Sequence, residues 1–418
     1  MLTKEVDLAI IGAGPAGMGA ALSAHEAGVE NILVLERAEN AGGLLHQCIH
    51  TGFGLHYFKE DLTGPEYAER FIAKLSSSNI KLCLNTMVIH LRADRSIVAM
   101  NAEWGEFRVL PRTVILAMGC REKTRFGIGI PGSRPAGIFT AGLAQKLVNV
   151  DGYLPGREFV ILGSGDIGMI MARRLHMEGA SVKAVVEIMP RVGGLIRNEI
   201  QCLRDFDIPL LLRHTVTQIY GNDRLKGVRI APVDDNGNPL KEQERSIDCD
   251  TLLLSVGLIP ENELSKEAGV KIDRATGGPF VDEFSQTNVD GVFAAGNVVQ
   301  VYDLVDNVTF GGEVAGQNAA RYINGEIKKG AKEILVVIGE GIKSVTPQRI
   351  TGSGNIEFAV RVKEPLENAE LTVGEYRKKH KVLSPAEVVK VKLKASDVAE
   401  SWESGNVTVA CHRLKGDV

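Results

Sequence analysis

Aromatic residues are scarce in this chain, at 5% of 418 residues with two tryptophans. Paired cysteines are missing altogether. Cys48, Cys83, Cys120, Cys202, Cys249 and Cys411 stand apart, and none forms a CxxC or CxxxxC spacing. That argues against a disulfide scaffold and against a paired-cysteine zinc site. Unpaired thiols in a chain this long fit a reducing cytosol, so a cytoplasmic location is expected. There is no excess of positive charge either. The net charge is −4 and the pI about 6.2, which speaks against a nucleic-acid-binding protein. No uncharged apolar run reaches the length of about 18 residues that a spanning helix needs, so no transmembrane segment is expected. Leu8–Ala24 comes nearest and imitates a signal peptide, but Gly12, Gly14, Pro15, Gly17 and Gly19 break it. A buried strand running into a glycine-rich turn and a helix explains it better.

Glycine is abundant, at 46 residues, without a collagen period or a low-complexity tract. The glycines therefore serve tight turns and close backbone approaches. Hydrophobic residues make up 44% and charged residues 24%, as in ordinary globular domains, which excludes a mostly disordered chain. At about 150 residues per domain, the length suggests two to three domains.

One supersecondary unit occurs twice. Val6–Ile11 reads as a strand buried on both faces, Pro15–Ala27 as a helix stopped by Gly28, and Asn31–Leu35 as a second strand. The same order returns in Glu158–Leu162, Ile167–Glu178 with Gly179 as its stop, and Ser181–Val186. Between the units lie a polar helix, Pro65–Ser76, β-like segments at Val88–Leu91, Ile97–Ala102 and Phe107–Val109, and the strand Thr113–Ala117. After the second unit come the strands Thr251–Val256 and Asp290–Ala295 and a helix near Gly312–Asn324. Gly325–Lys332 reads as a linker.

From Glu333 the composition changes to valine, lysine and glutamate, with short β-like runs at Ile334–Ile338, Ile356–Val362, Val388–Leu393 and Val407–Cys411. A small β-rich domain is expected over residues 333–418. The basic run Arg377–Lys381 reads as a solvated turn, ahead of a docking patch for an acidic partner. Lys390, Lys392 and Lys394 alternate with apolar residues, as on the wet face of an edge strand.

The chemistry-bearing motifs are the two glycine loops. Gly12-Ala-Gly14-Pro15-Ala16-Gly17 follows a strand and opens a helix, and Glu36 ends the next strand. Gly12 allows the tight turn, Gly14 lets a pyrophosphate approach the backbone, and Gly17 lets helix and strand pack closely. Phosphate is favoured at the helix N-terminus, and Glu36 accepts from ribose hydroxyls. Gly163-Ser-Gly165-Asp166-Ile167-Gly168 repeats the pattern, with Glu187 in the place of Glu36. The spacing from first glycine to acid is 24 in both units (36 − 12 and 187 − 163). Two full fingerprints predict two bound dinucleotides. Glu187 bonds a free 2′-hydroxyl and repels a 2′-phosphate, which favours NAD(H) over NADP(H); Arg191 lies four residues beyond the place where a 2′-phosphate partner is expected.

Two such units about 150 residues apart resemble the thioredoxin-reductase-like pyridine nucleotide-disulfide oxidoreductases. The runs Thr113–Gly119, Thr251–Gly257 and Asn288–Asn297 agree with that resemblance. It implies an α/β chain with two Rossmann-like dinucleotide-binding domains. A discontinuous FAD-binding domain takes residues 1–120 and 256–326, and an NAD-binding domain takes residues 121–255. It implies FAD and NAD(H) as cofactor and co-substrate. FAD would be held by the first loop (Gly12, Gly14, Pro15, Ala16), Glu36, Arg37, Gly43, Leu44, Val88, Ala117, Met118, Gly119, Gly296, Asn297 and Val308. NAD would be held by Gly163, Gly165, Asp166, Ile167, Glu187 and Gly257. By the same resemblance, Asp306–Thr309 borders the isoalloxazine. The late motif ends in Asn297 where the family usually has Asp, and an amide still bonds ribityl hydroxyls. The family's redox disulfide is missing, so a dithiol relay is not expected.

Gly42–His50, Gly52–Glu66, Ile130–Gln145, Gly163–Leu175 and Asn297–Val308 look more specifically like the FAD/NAD oxidoreductase found beside anaerobic glycerol-3-phosphate dehydrogenases. Opine oxidase and hydrogen cyanide synthase subunits are more distant relatives. This implies a dehydrogenase subunit and a small cysteine-rich protein as partners, and the wider family implies a homodimer. The expected function is hydride exchange between NAD(H) and FAD, with electrons passing to or from a partner or a small acceptor. A non-catalytic electron-relay subunit and a free-standing NADH oxidase using O2 are the alternatives.

Cys48, with His46, His50 and His56 nearby, reads either as a lone redox thiol or as a buried thiol in the flavin wall. The spacing matches no standard zinc pattern, and no metal is expected. Cys120 lies beside Arg121 and Lys123, which lower a thiol pKa when close, but such surface charge clusters are common. No Ser-His-Asp or paired-carboxylate arrangement stands out, so the chemistry expected is that of the cofactors.

Overall fold

The first strand, Leu2–Ile11, lies at the centre of a sheet in a computed structural model that describes residues 2–327, 333–352, 355–398 and 405–414. It pairs in parallel with Ile32–Leu35 on one side and Gly105–Leu116 on the other. The sheet continues outward to Lys81–Cys83 at one edge and through Ile97–Asn101 to Met87–Leu91 at the other, while Val292–Ala294 joins Gly105–Leu116 in parallel. The segments expected as Phe107–Val109 and Thr113–Ala117 are one strand. Pro111, which reads as a break, sits inside the ladder opposite Val6.

One face of this sheet is covered by the helices Pro15–Glu26, Gly64–Ser76 and Val305–Ile323. Helix Pro15–Glu26 and helix Val305–Ile323 meet along a glycine seam. A Cβ on Gly312 would lie 2.1 Å from Ala16 O, and one on Gly316 2.2 Å from Ala20 O. Helix Val305–Ile323 begins seven residues before the start the sequence suggests (312 − 305), and Gly312 lies inside it at this seam. Helix Gly64–Ser76 starts with a capping box: Thr63 N donates to Glu66 Oε2 at 2.8 Å and Glu66 N to Thr63 Oγ1 at 3.4 Å. Such a cap contributes about 1 kcal/mol.

The chain separates into two compact units, one of residues 1–120 with 260–418 and one of Arg121–Ile259. The return boundary therefore falls at Pro260; residues 256–259, expected with the flavin domain, belong to the second unit. That unit is a parallel sheet ordered Ile138–Thr140, Thr251–Leu254, Glu158–Leu162, Ser181–Glu187, Leu210–Leu212. It carries the helices Ala141–Asn149 and Asp166–Met177 and a separate three-stranded antiparallel sheet.

The C-terminal part of the first unit has its own core, with Ile334, Phe358, Val360, Leu371 and Val409 buried between a five-stranded and a three-stranded sheet. The basic run Arg377–Lys381 is not a turn. It lies on Tyr376–Leu383, the last strand of the five-stranded sheet, paired with Leu366–Val373. Lys390 is not fully wet: it pairs with Glu357 at 2.6 Å and lies over the Phe310 ring. Of the expected linker, residues 328–332 lie outside the described residues. Among the described residues, no helix is long and apolar enough to cross a membrane.

Candidate functional site

In the first unit, the turn after the first strand is closed by backbone. Gly12 has φ +103°, and a Cβ there would lie 2.5 Å from Ala117 O. Gly17 sits on Gly12, where a Cβ would lie 1.8 Å from its carbonyl oxygen. Gly14, between them, has nothing within 4 Å of the Cβ position. It precedes Pro15 at the helix start, and the first-turn amides beyond Pro15 have no acceptor within the helix. This is an open cradle of backbone donors at a helix N-terminus, the arrangement that takes a phosphate.

Glu36 is buried at 7% exposure and closes the loop from below. Its Oε2 accepts from Ala13 N at 2.7 Å and its Oε1 from Ala38 N at 2.8 Å, fixing the acid beside the glycine turn. Arg37, between them, is exposed. A second glycine turn lies over the first: Gly42 N donates to Ala13 O at 2.8 Å, and a Cβ on Gly43 would lie 3.2 Å from Gly14 Cα. Leu44 follows at 59% exposure.

Gly119 has φ +71° and open space at its Cβ position, and Ala117 and Met118 lead into it from the central sheet. Gly296 meets both Ala16 and Val308, where a Cβ would lie 2.7 Å from Ala16 Cβ and 3.0 Å from Val308 Cγ1. Asn297 is half-buried and accepts from Tyr302 N at 3.0 Å through Oδ1, so part of its capacity closes its own turn. Gly12, Gly14, Ala16, Gly43, Ala117, Gly296 and Val308 thus share one locality. The Val88 side chain is different: it is buried in the core on the sheet face away from the helices.

Two residues of the Asp306–Thr309 segment are engaged elsewhere. Asp306 accepts from Gly54 N at 3.2 Å and His56 N at 2.8 Å, and the Thr309 hydroxyl bonds the Tyr67 hydroxyl at 2.8 Å. Both are buried side chains that fix neighbouring segments.

The second unit repeats the geometry. Gly163 has φ +100°, and a Cβ would lie 2.1 Å from Ser255 O; Gly168 sits on Gly163 O at 2.6 Å. Glu187, again 7% exposed, accepts from Ser164 N at 2.8 Å, Ser164 Oγ at 2.7 Å and Met189 N at 2.9 Å. Gly165 and Ile167 flank the helix start. Asp166 does not present its carboxylate to the loop. Its Oδ1 accepts from Leu195 N at 2.8 Å and Asn198 Nδ2 at 2.6 Å, holding the next helix. Gly257 has φ +103° and accepts from Lys123 N at 2.9 Å.

Gly193 and Gly194, which the motif reading leaves out, lie against the second loop. Gly193 N donates to Ser164 Oγ at 2.9 Å and Gly194 N to Ser164 O at 3.0 Å, so this pair covers the second loop as Gly42 and Gly43 cover the first. A signal for them exists in the sequence: each pair begins 30 residues after its first glycine (42 − 12 and 193 − 163).

Cys48 ends the short helical turn Gly43–Gln47, wedged against Gly64. Burial pushes its thiol up to about 12, the reverse of what a redox thiolate needs. His46 bonds Ala41 O and His50 bonds Thr51 O, and no group of metal-binding side chains gathers among the described residues. The six cysteines form no disulfide.

Residues 6–312 match the family model described as pyridine nucleotide-disulphide oxidoreductase. The chain belongs to this family. Its members are FAD-dependent oxidoreductases that use NAD(P)H as substrate. Among curated relatives, hydrogen cyanide synthase subunit HcnB of Pseudomonas protegens is 28% identical over 63% of this chain and 58% of its own length. An opine oxidase subunit of Agrobacterium tumefaciens is 26% identical over 71% of this chain and 62% of its own length. The chain thus spans about three fifths of the length of these relatives. Thioredoxin reductase of T. acidophilum superposes with a TM-score of 0.63 at 24% identity, over 76% of this chain and 99% of that one, and shares the fold.

Proposed function

We propose that the chain passes a hydride between NAD(H) and FAD, and passes electrons onward to or from a partner protein or small acceptor. The observation that carries this reading is the doubled site: two glycine loops, each fixed by a buried glutamate and covered by a Gly-Gly turn. The residues present fit the groups the family uses, because no side chain or backbone crowds the Cβ position of Gly14 and the first-turn amides after Pro15 have no acceptor within the helix.

In the first unit, Gly12, Gly14 and Gly43 bring backbone close to a pyrophosphate, the amides beyond Pro15 donate to it, and Glu36 accepts from a ribose. Asn297 keeps its amide nitrogen for a polyol chain while its oxygen holds the turn. Leu44, Gly119 and Val308 border the same locality. In the second unit, the loop backbone at Gly165 and Ile167 meets the phosphates and Glu187 the adenosine ribose. Its charge favours NADH over NADPH. When bound, FAD accepts two electrons as a hydride and releases them singly or together. The protein supplies position and electrostatics.

The partner reading is that of a subunit working with a dehydrogenase, such as a glycerol-3-phosphate dehydrogenase, in the cytoplasm. It is supported by the long-segment resemblance given above and by relatives that are themselves named as subunits. A dithiol relay is disfavoured because no two cysteines stand at a CxxC or CxxxxC spacing and all six are free.

The test is an anaerobic visible titration of the purified chain with NADH and, separately, NADPH. Bleaching of a bound flavin band by NADH is expected. A chain that carries no flavin, or a flavin that neither nucleotide reduces, refutes the proposal.

A further inference from the structure

The segment between Gly296 and helix Val305–Ile323 is gripped from outside the dinucleotide-binding fold. Arg361, on the C-terminal strand Ile356–Val362, points its guanidinium at it. Arg361 Nη2 donates to Val301 O at 3.0 Å and lies 3.8 Å from Asp303 Oδ1. Arg361 Nη1 donates to Pro385 O at 2.5 Å, so one fork ties the segment to two pieces of the β-rich part. The pair is largely hidden, with side-chain exposures of 17% for Arg361 and 8% for Asp303.

Neighbouring bonds reinforce the grip. Val388 N donates to Asp303 Oδ1 at 3.1 Å, and the Thr346 hydroxyl donates to Gln300 Oε1 at 3.1 Å. Within the segment, Tyr302 N closes the turn onto Asn297 Oδ1 at 3.0 Å. A chain of bonds therefore runs from Arg361 through Val301 and Tyr302 to Asn297.

We propose that Arg361 is a positioning residue for the flavin: it sets the 297–303 turn, and so the Asn297 amide, from the C-terminal β-rich part. This rests on the reading that Gly296–Val308 borders FAD. It assigns the β-rich part a role inside the redox site. The residue type follows from the task. Only a guanidinium offers several donors in a rigid fork, here to two carbonyls beside a carboxylate; a lysine ammonium reaches one of the carbonyls without fixing the plane.

A second docking contact provides the control. Arg349 Nη2 donates to Thr287 O at 2.8 Å and lies 3.3 Å from Asp282, binding the β-rich part to a loop before Val292–Ala294 and making no bond to the 297–303 turn. If docking alone matters, loss of either arginine has the same consequences.

The experiment uses the full chain as R361A, R361K and R349A. It measures FAD dissociation by flavin fluorescence, the flavin reduction potential, and hydrogen exchange of peptides spanning residues 297–303, with and without FAD. R361A is expected to weaken FAD binding about tenfold, the size of one lost hydrogen bond to a charged donor, with faster exchange in 297–303 and a shifted potential. R361K should recover part of each change. R349A should melt earlier yet bind FAD within about twofold of wild type. Should R361A fail to fold, R361K against R349A carries the comparison. Equal FAD affinity and exchange in wild type and the Arg361 variants overturn the proposal, as does R349A matching R361A in every readout. A wild-type chain that binds no FAD overturns the flavin reading itself, and is told apart because no variant is needed to see it.

Discussion

Replacing Glu187 with glutamine separates two duties of one side chain. The carboxylate accepts two bonds from Ser164 on Oε2 and one from Met189 N on Oε1 while only 7% exposed. An amide keeps a single acceptor oxygen, so one of these donor groups then faces an NH2. A buried donor left unmet costs about 1–3 kcal/mol. The E187Q chain should therefore melt several degrees lower. The second duty is coenzyme choice. A 2′-phosphate held about 5 Å from a carboxylate, at an effective dielectric near 20, is opposed by about 3 kcal/mol, roughly a hundredfold in rate or affinity. Glutamine removes that charge. The ratio of NADH-driven to NADPH-driven flavin reduction, read by anaerobic stopped flow, should fall from about a hundredfold to less than about tenfold. The reasoning is refuted if wild type reduces equally fast with both coenzymes, or if E187Q keeps the wild-type ratio.

Gly12→Ala forces a Cβ to within 2.5 Å of Ala117 O at φ +103°; loss of bound flavin and a stability drop of at least about 2 kcal/mol by denaturant titration are expected. Cys48→Ser should leave NADH-driven flavin reduction within about twofold, and iodoacetamide should label wild-type Cys48 slowly at neutral pH, because burial holds its thiol near 12; rapid labelling at pH 7 contradicts this. Burial also raises the Asp282 carboxyl to about 7, despite the opposing pull of Arg349. The folded chain then holds this proton where the unfolded chain has released it, so the stability it contributes is full below about pH 4 and is lost as pH rises towards 7. Melting temperatures between pH 5 and 8 should show this fall, with a flatter profile in Asp282→Asn; an unchanged slope in the variant assigns the effect elsewhere.

The dinucleotide loops are readable because their glycines answer to backbone geometry alone. Gly12, Gly17, Gly163 and Gly168 occupy positions where any side chain strikes a carbonyl, and that demand leaves a fixed spacing in the sequence. Glu36 and Glu187 are legible for the same reason, each at the end of the strand after its loop. What escapes depends on partners distant in sequence. Asp306 looks like a site acid at a helix start, yet its bonds reach back to Gly54 and His56, some 250 residues earlier. Asp166 sits within a fingerprint, yet it holds residues 195 and 198. The basic strand at 377–381 reads as a turn because it lacks apolar alternation of its own and is held in the sheet by its ladder with Leu366–Val373. Arg361 carries no local signal at all.

The division of the chain has a consequence for how it is made. Arg121–Ile259 is continuous, so that unit can complete itself as soon as it leaves the ribosome. The first unit cannot. Its strand Gly105–Leu116 waits for Val292–Ala294, and the carbonyls of Ala16 and Ala20 wait for Gly312 and Gly316. Until those residues emerge, one face of helix Pro15–Glu26 is uncovered. The order of completion thus runs opposite to the order in which the two units start: the inserted unit is finished first, and the first unit is closed last, by Val292–Ala294, Gly312 and Gly316.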